Sequence, residues 1–238
     1  MARLIASLCF LLFITPASAQ SFNAQEQAEI RALVRDYLVR NPDVLREALD
    51  SLEQRASSER WRTVKSDSRD FSLGPADAPI VIVEFFDYRC AYCHAALEWV
   101  ADVARSRRDV RIVFKELPIL SDQSMEAARA SIAAMPQGRY WNFHRALMQY
   151  RGELTLESID AIARSTGIDA ARMRRAMESP EISALLEQNR AQALDYNING
   201  TPGFIINGEL IAGFNRENLD ARLRQATREA ASLRQARN

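Results

Sequence analysis

The period of the apolar positions changes several times along this chain, and each change marks an element. Residues 4–14 are almost unbroken apolar sequence. Over residues 23–40, Ile30, Leu33, Val34, Tyr37 and Leu38 recur at intervals of three and four, which predicts an amphipathic helix. Asn41-Pro42 ends it. Asn suits an N-cap and Pro a first helical turn, so a second helix is expected over about 42–62. Its stripe, Leu45, Leu49, Leu52 and Ala56, is narrow and near heptad spacing. Residues 57–72 are polar with little periodicity and read as a linker or a continuing exposed helix, and residues 73–79 read as a turn.

Residues 80–86 (IVIVEFF) form a continuous β-branched and aromatic run, the pattern of a strand covered on both faces. A helical pattern over 91–107 and a second strand pattern over 110–115 complete a βαβ unit with parallel strands. Helical periods then fill 122–196, in segments near 122–134, 138–150, 155–166, 169–177 and 181–196. Gly138, Gly152, Gly167 and Pro180 punctuate them. Residues 204–206 read as a strand, Asn207-Gly208 as a hairpin turn, 210–212 as the return strand and 216–234 as a last helix. The order βαβ, helical block, ββα predicts a compact α/β domain with a helical insertion at about 121–197. The assigned division is 1–19 as a targeting segment, 20–65 as a helical segment and 66–238 as the α/β domain. Two thin helical stripes make a poor core alone. They either pack back on the main domain or drive self-association as a stem, and homo-oligomerisation through residues 23–62 is the reading adopted.

Arg3, the apolar run and Ala17-Ser18-Ala19 have the form of a cleavable secretory signal peptide over residues 1–19, which predicts export and a periplasmic location. Its removal takes away Cys9 and leaves Cys90 and Cys93 as the cysteines of the processed chain, in a compartment that favours disulfides. The 238 residues carry 31 basic and 31 acidic side chains, so bulk charge gives no sign of a nucleic-acid partner.

Cys90 lies where the buried strand ends and a helix begins. The helix N-terminus carries unpaired N–H groups and partial positive charge, which favours a thiolate. Cys90 is therefore expected to be the attacking thiol. Cys93, one turn on, is expected to be the resolving thiol, and the pair can cycle between dithiol and disulfide. A structural zinc site would need about four ligands, whereas the processed chain adds only His94 and His144 to the two cysteines, far apart in sequence. A purely structural disulfide would close a very short loop and add little stability.

"VEFFDYRCAYC" and "NGTPGFIING" together resemble the DsbA-like branch of the thioredoxin superfamily, over about residues 71–234. The resemblance implies a thioredoxin fold with a helical insertion. It implies that Cys90 and Cys93 are the redox pair, with Ala91-Tyr92 as the variable dipeptide. Thr201-Pro202 matches the family's loop with a cis proline, beside which an extended substrate strand pairs with backbone. Glu84 matches a buried acid beneath the site, whose pKa burial raises and which can relay the Cys93 proton through water. The alternative for Glu84 is an outward-facing strand residue. Strongly oxidising members carry a histidine between the cysteines. Here His94 follows Cys93 instead, so weaker thiolate stabilisation and a less oxidising pair are expected, with His94 itself read as a solvated helix residue or an electrostatic helper. Tyr92 is expected to be exposed, and His144 to be a packing or helix-surface residue.

"EIRALVRDYLVRNPDVLREAL" resembles the N-terminal region of ScsC-type copper-sensitivity suppressors and Com1-like proteins, which implies a trimerising stem. Together these resemblances point to a periplasmic thiol–disulfide oxidoreductase of isomerase or reductase character. They imply cysteine-containing protein substrates, a membrane reductant of the DsbD or ScsB kind, and no cofactor. A disulfide donor recharged by a DsbB-like oxidase and a Cu(I)-binding protein using Cys90 and Cys93 are the alternatives.

Overall fold

The computed structural model describes residues 22–236. The signal-peptide reading and Cys9 lie outside these residues. The described chain divides into two compact units that meet within one helix, at residues 53 and 54.

The first unit holds α1 (Ala24–Arg40) and the opening turns of α2 (Pro42–Lys65). Asn23 starts α1 with a capping box: its side chain accepts from the Gln25 and Glu26 N–H groups, and Glu26 accepts from the Asn23 N–H. Asn41 does not play the N-cap role expected of it. Its amide donates to the Tyr37 carbonyl at 2.8 Å, so it closes the end of α1. No residue of α1 is buried, and Leu33, Val39, Leu49 and Leu52 are each exposed by 61–72%.

In the second unit, five strands lie in the order β1-β3-β2-β4-β5. They are β1 (Phe71–Leu73), β2 (Ile80–Phe86), β3 (Val110–Glu116), β4 (Gly203–Ile206) and β5 (Glu209–Ala212). β2 and β3 run parallel, joined by α3 (Ala91–Ser106); the other pairings are antiparallel. Between β3 and β4 come α4 (Asp122–Ala134), α5 (Tyr140–Gln149), α6 (Leu156–Ser165), α7 (Ala170–Met177) and α8 (Pro180–Asp195). α9 (Arg216–Ala236) ends the chain.

Every residue of β2 is buried because its alternate side chains enter different cores. Ile80, Ile82 and Phe86 pack with α3, the inserted helices and α9; Val81, Val83 and Phe85 pack with Val64, Ala193 and Ile198. Thus the end of α2 is no free linker: Val64 is buried, with Trp61 packed against the same cluster. β1 is a second correction to the linker-and-turn reading. It is three residues long, too short for a period to register, yet Phe71 pairs with Phe114 in β3 and stacks on Tyr140 at 4.3 Å. Lys115 in β3 and Asp70, just before β1, form a fully buried ion pair beneath the sheet.

Candidate functional site

The site lies at the end of β2, where the chain turns into α3. Asp87 shapes that turn. It is buried, and its carboxylate accepts from the Arg89 N–H (2.7 Å), the Ser124 hydroxyl (2.7 Å) and the Ile119 and Leu120 N–H groups (2.9 and 3.0 Å). One side chain thereby ties the β2–α3 turn to the loop after β3 and to α4. The Cys90 N–H donates to the Asp87 carbonyl at 3.1 Å, which sets Cys90 at the N-cap of α3.

Both Cys90 and Cys93 carry free thiols. The Cys90 thiol is pushed down to about 5: chiefly by a hydrogen bond from Cys93, against the opposing cost of burial, with help from the Thr201 side chain and the Cys93 and Tyr92 backbone. Cys93 moves the opposite way, raised by burial first and then by the hydrogen bond it gives Cys90 and by the charge of Glu84. The Cys90 thiol is thus lowered without a histidine between the cysteines. The donors are the second cysteine, the neighbouring threonine and the start of α3.

Thr201 faces Cys90 across the site. The Cys90 thiol donates to the Thr201 carbonyl at 3.1 Å, and the Thr201–Pro202 peptide bond is cis. The Thr201 hydroxyl is buried without a partner while Cys90 is a thiol. That leaves a donor in reserve for the thiolate.

Glu84 lies on β2 and is buried, opposite Phe114 on β3 and Phe204 on β4. Burial pushes its carboxyl up to about 8, and the nearby Cys90 charge adds to the shift. Tyr92 is 67% exposed, next to the buried Cys93. His94 is not the solvated residue expected. Its Nε2 lies 2.7 Å from the Tyr88 carbonyl and its Nδ1 2.9 Å from Arg151 Nη1, so Nε2–H donates and Nδ1 accepts. The guanidinium, which can only donate, fixes that tautomer.

Beneath the turn is a polar network that the sequence did not single out. Glu116, wholly buried at the end of β3, accepts from the Tyr88 hydroxyl at 3.0 Å and the Tyr140 hydroxyl at 2.9 Å. The Tyr88 hydroxyl also meets Ser131 at 2.7 Å and His144 Nδ1 at 3.1 Å. Burial pushes Glu116 up to about 8 and His144 down to about 3. His144 stacks on Tyr140 and Trp141 and meets Phe86 and Phe114 edge-on, so it is a packing residue inside the core. The available signal was "DYRC" beside "YWNFH", but only the fold brings Tyr88 and His144 together. Among the described residues, no group of three or more His, Cys, Asp or Glu side chains is placed to hold a metal ion.

A thiol at a helix N-cap position, a second buried thiol and a cis-proline loop across from them define a family geometry, and comparison with known proteins agrees. Residues 81–224 match the DSBA-like thioredoxin domain. The chain belongs to that family. Residues 26–59 match a second description, the copper resistance protein ScsC N-terminal domain. A thioredoxin-like oxidoreductase from Silicibacter pomeroyi is 36% identical with a TM-score of 0.67, covering 72% of this chain and 97% of its own. A linker-deletion variant of Proteus mirabilis ScsC is 26% identical with a TM-score of 0.66, covering 89% of this chain and 100% of its own. The Na(+)/H(+) antiporter NhaA of Herminiimonas arsenicoxydans is 32% identical over 163 residues, 68% of this chain and 25% of the antiporter. The chain spans about a quarter of the length of the curated relatives it matches. The DsbA-like protein thus has a thioredoxin fold with a helical insertion, preceded by ScsC-type N-terminal helices, and the fold supports thiol–disulfide oxidoreductase activity.

Proposed function

We propose that this DsbA-like protein is a periplasmic thiol–disulfide oxidoreductase of isomerase and reductase character, acting on protein disulfides through Cys90 and Cys93. The observation that carries the reading is the placement of the two cysteines: Cys90 lies at the N-cap of α3, 3.1 Å from the Thr201 carbonyl before the cis Thr201–Pro202 bond, and Cys93 is buried one turn on. That placement lowers the Cys90 pKa and raises that of Cys93. The Cys90 thiolate attacks a substrate disulfide. One S–S bond forms to Cys90, one breaks, and the leaving substrate sulfur departs as a thiolate and takes a proton. In isomerisation a second substrate thiol attacks the mixed disulfide, restoring Cys90 with no net redox change. In reduction Cys93 attacks instead, which forms the Cys90–Cys93 disulfide and releases the substrate as a dithiol.

That attack requires Cys93 to lose a proton against its raised pKa. Glu84 is the acid–base group for this step, buried beneath the site and titrating at about 8. Backbone beside Thr201 and Pro202 is the docking edge for an extended substrate strand. Reduction consumes two electrons per cycle, so a membrane-bound thiol reductant of the DsbD or ScsB kind completes the reaction.

The N-terminal helices are a trimerising stem over residues 23–62. The support is the exposed stripe Ile30, Leu33, Val34 and Tyr37 on α1, the stripe Leu45, Leu49 and Leu52 on α2, and the ScsC N-terminal match. Several redox sites on one stem raise the effective concentration at one substrate, which favours reshuffling.

A second reading has one specific observation in its favour. A thiolate stabilised to about 5 stabilises the reduced protein and makes the disulfide form a better oxidant, as a disulfide donor served by a DsbB-like oxidase requires. The experiment that decides is the in-cell redox state of Cys90 and Cys93, trapped by acid quenching and thiol alkylation. A mainly reduced pair is expected. A mainly oxidised pair overturns the isomerase reading and makes the protein a disulfide donor. Cu(I) binding by the two thiolates is tested by titrating the reduced protein: tight 1:1 uptake abolished by Cys93→Ser would establish it.

A further inference from the structure

Two exposed arginines are tied to the segment that carries Cys90 and Cys93. Arg89 directly precedes Cys90, and its side chain is exposed. Its Nη1 donates to the Gly152 carbonyl at 2.9 Å. Arg151, also exposed, follows the end of α5. Its Nη1 donates to the Met148 carbonyl at 2.8 Å and to Nδ1 of His94, the residue after Cys93, at 2.9 Å. The two guanidinium groups therefore both lie along residues 148–152, one on a side chain bonded in sequence to Cys90 and one hydrogen-bonded to the neighbour of Cys93.

Both are anchored by neutral acceptors. Nine of the described arginines lie against a carboxylate; Arg89 and Arg151 are among the larger number that do not. Two of the nearby carboxylates are buried. Asp87 is buried and saturated by four donors. Glu84 is buried beneath the pair. Glu153 is exposed beside Arg151 in sequence but forms an ion pair with neither arginine. Each guanidinium engages only Nη1 of its five-donor fork, so donors that fit a carboxylate remain unengaged. Anchoring also lowers the conformational entropy that a long side chain loses when it binds.

We infer that Arg89 and Arg151 form a carboxylate-reading rim, and that the protein prefers peptide segments whose reactive cysteine is flanked by Asp or Glu. This rests on Cys90 as the attacking thiol and adds the substrate class to that reading. The rim acts before any bond changes, by raising the encounter rate and aligning the strand, so its effect is screened by salt.

The test uses the reduced full-length protein and three peptides that differ only around one cysteine, flanked by Glu, Gln or Lys. Each peptide cysteine is activated as a mixed disulfide with 2-thiopyridine. The Cys90 thiolate attacks the peptide sulfur, an S–S bond forms to the peptide, and 2-thiopyridone leaves and is read by absorbance. Rates are divided by those of 2-mercaptoethanol with the same peptides, which removes their intrinsic reactivity. The Glu-to-Lys ratio is expected to be roughly fivefold or more at low salt and to fall towards one at high salt. It should collapse in the Arg89→Gln/Arg151→Gln double variant and persist in Arg89→Lys/Arg151→Lys. A merely structural loss would slow all three peptides together and leave the ratio in place. A ratio near one in the parent protein overturns the inference, as does a ratio unchanged in the Gln double variant. Failure to react with any peptide would instead remove Cys90 as the nucleophile, and the rim with it.

Discussion

At the scale of single residues, placement decides the chemistry. Cys90 and Cys93 are the same side chain three positions apart and both are buried, yet donors at the mouth of α3 push Cys90 down and burial one turn inside pushes Cys93 up. Glu84 shows the same rule for a carboxyl. Its folded-state pKa, about 8, is raised above the ordinary value of 4.5. Such a group favours the fold fully below about 4.5, and that contribution is lost as pH rises through about 8. Glu116 and Asp70, raised to about 8 and about 6 by burial, act in the same direction, while the depressed Cys90 acts in the opposite one. Glu84→Gln removes one titrating group and leaves the others. The melting temperature of the reduced variant should therefore fall less than the parent's between pH 5 and pH 8. The same variant should release peptide from the Cys90 mixed disulfide about a hundredfold more slowly or worse, the usual scale for a lost acid–base group. Equal melting profiles and equal release rates would remove Glu84 from the mechanism.

Among elements, the sequence was most legible where period and burial coincide. β2, β3, the inserted helices and the Asn207-Gly208 hairpin follow the pattern read from their residues, because each buries a face or two along a regular repeat. β1 escaped because three residues cannot display a period, and its partners Phe114 and Tyr140 lie 43 and 69 positions away. The placement of Cys90 and Cys93 at a strand-to-helix junction was legible because spacing and junction are local. The anchoring of His94 by Arg151 and the Tyr88–Glu116–His144 network were not, since the insertion alone brings those side chains together. Tyr88 joins the network to the active-site turn. Tyr88→Phe takes a hydroxyl from the buried Glu116 and should cost about 1–3 kcal/mol of stability, read by denaturant unfolding of the reduced protein. An unchanged midpoint would mean that Glu116 is satisfied by Tyr140 alone.

For the molecule as a whole, the unresolved demand of the first unit is its apolar surface. Ile30, Leu33, Val34, Tyr37, Val39, Leu45, Leu49 and Leu52 are all more than 40% exposed. Burial of a large apolar side chain contributes about 1.5–3 kcal/mol, and association costs on the order of 4–15 kcal/mol. A few such side chains per protomer are enough to offset that cost. The wild-type mass in light scattering is expected to be that of a trimer, and Leu49→Glu/Leu52→Glu should reduce it to a monomer with its thiol chemistry intact. A monomeric parent would remove the stem from the account. The measurement closest to the central claim is the pH dependence of Cys90 alkylation by iodoacetamide, followed by peptide mass mapping. The account predicts a rate that rises with a midpoint at about 5, a Cys93 that stays unmodified across the range, and an upward shift of the midpoint in Cys93→Ala. A Cys90 midpoint near that of an ordinary thiol, about 8.5, would contradict it.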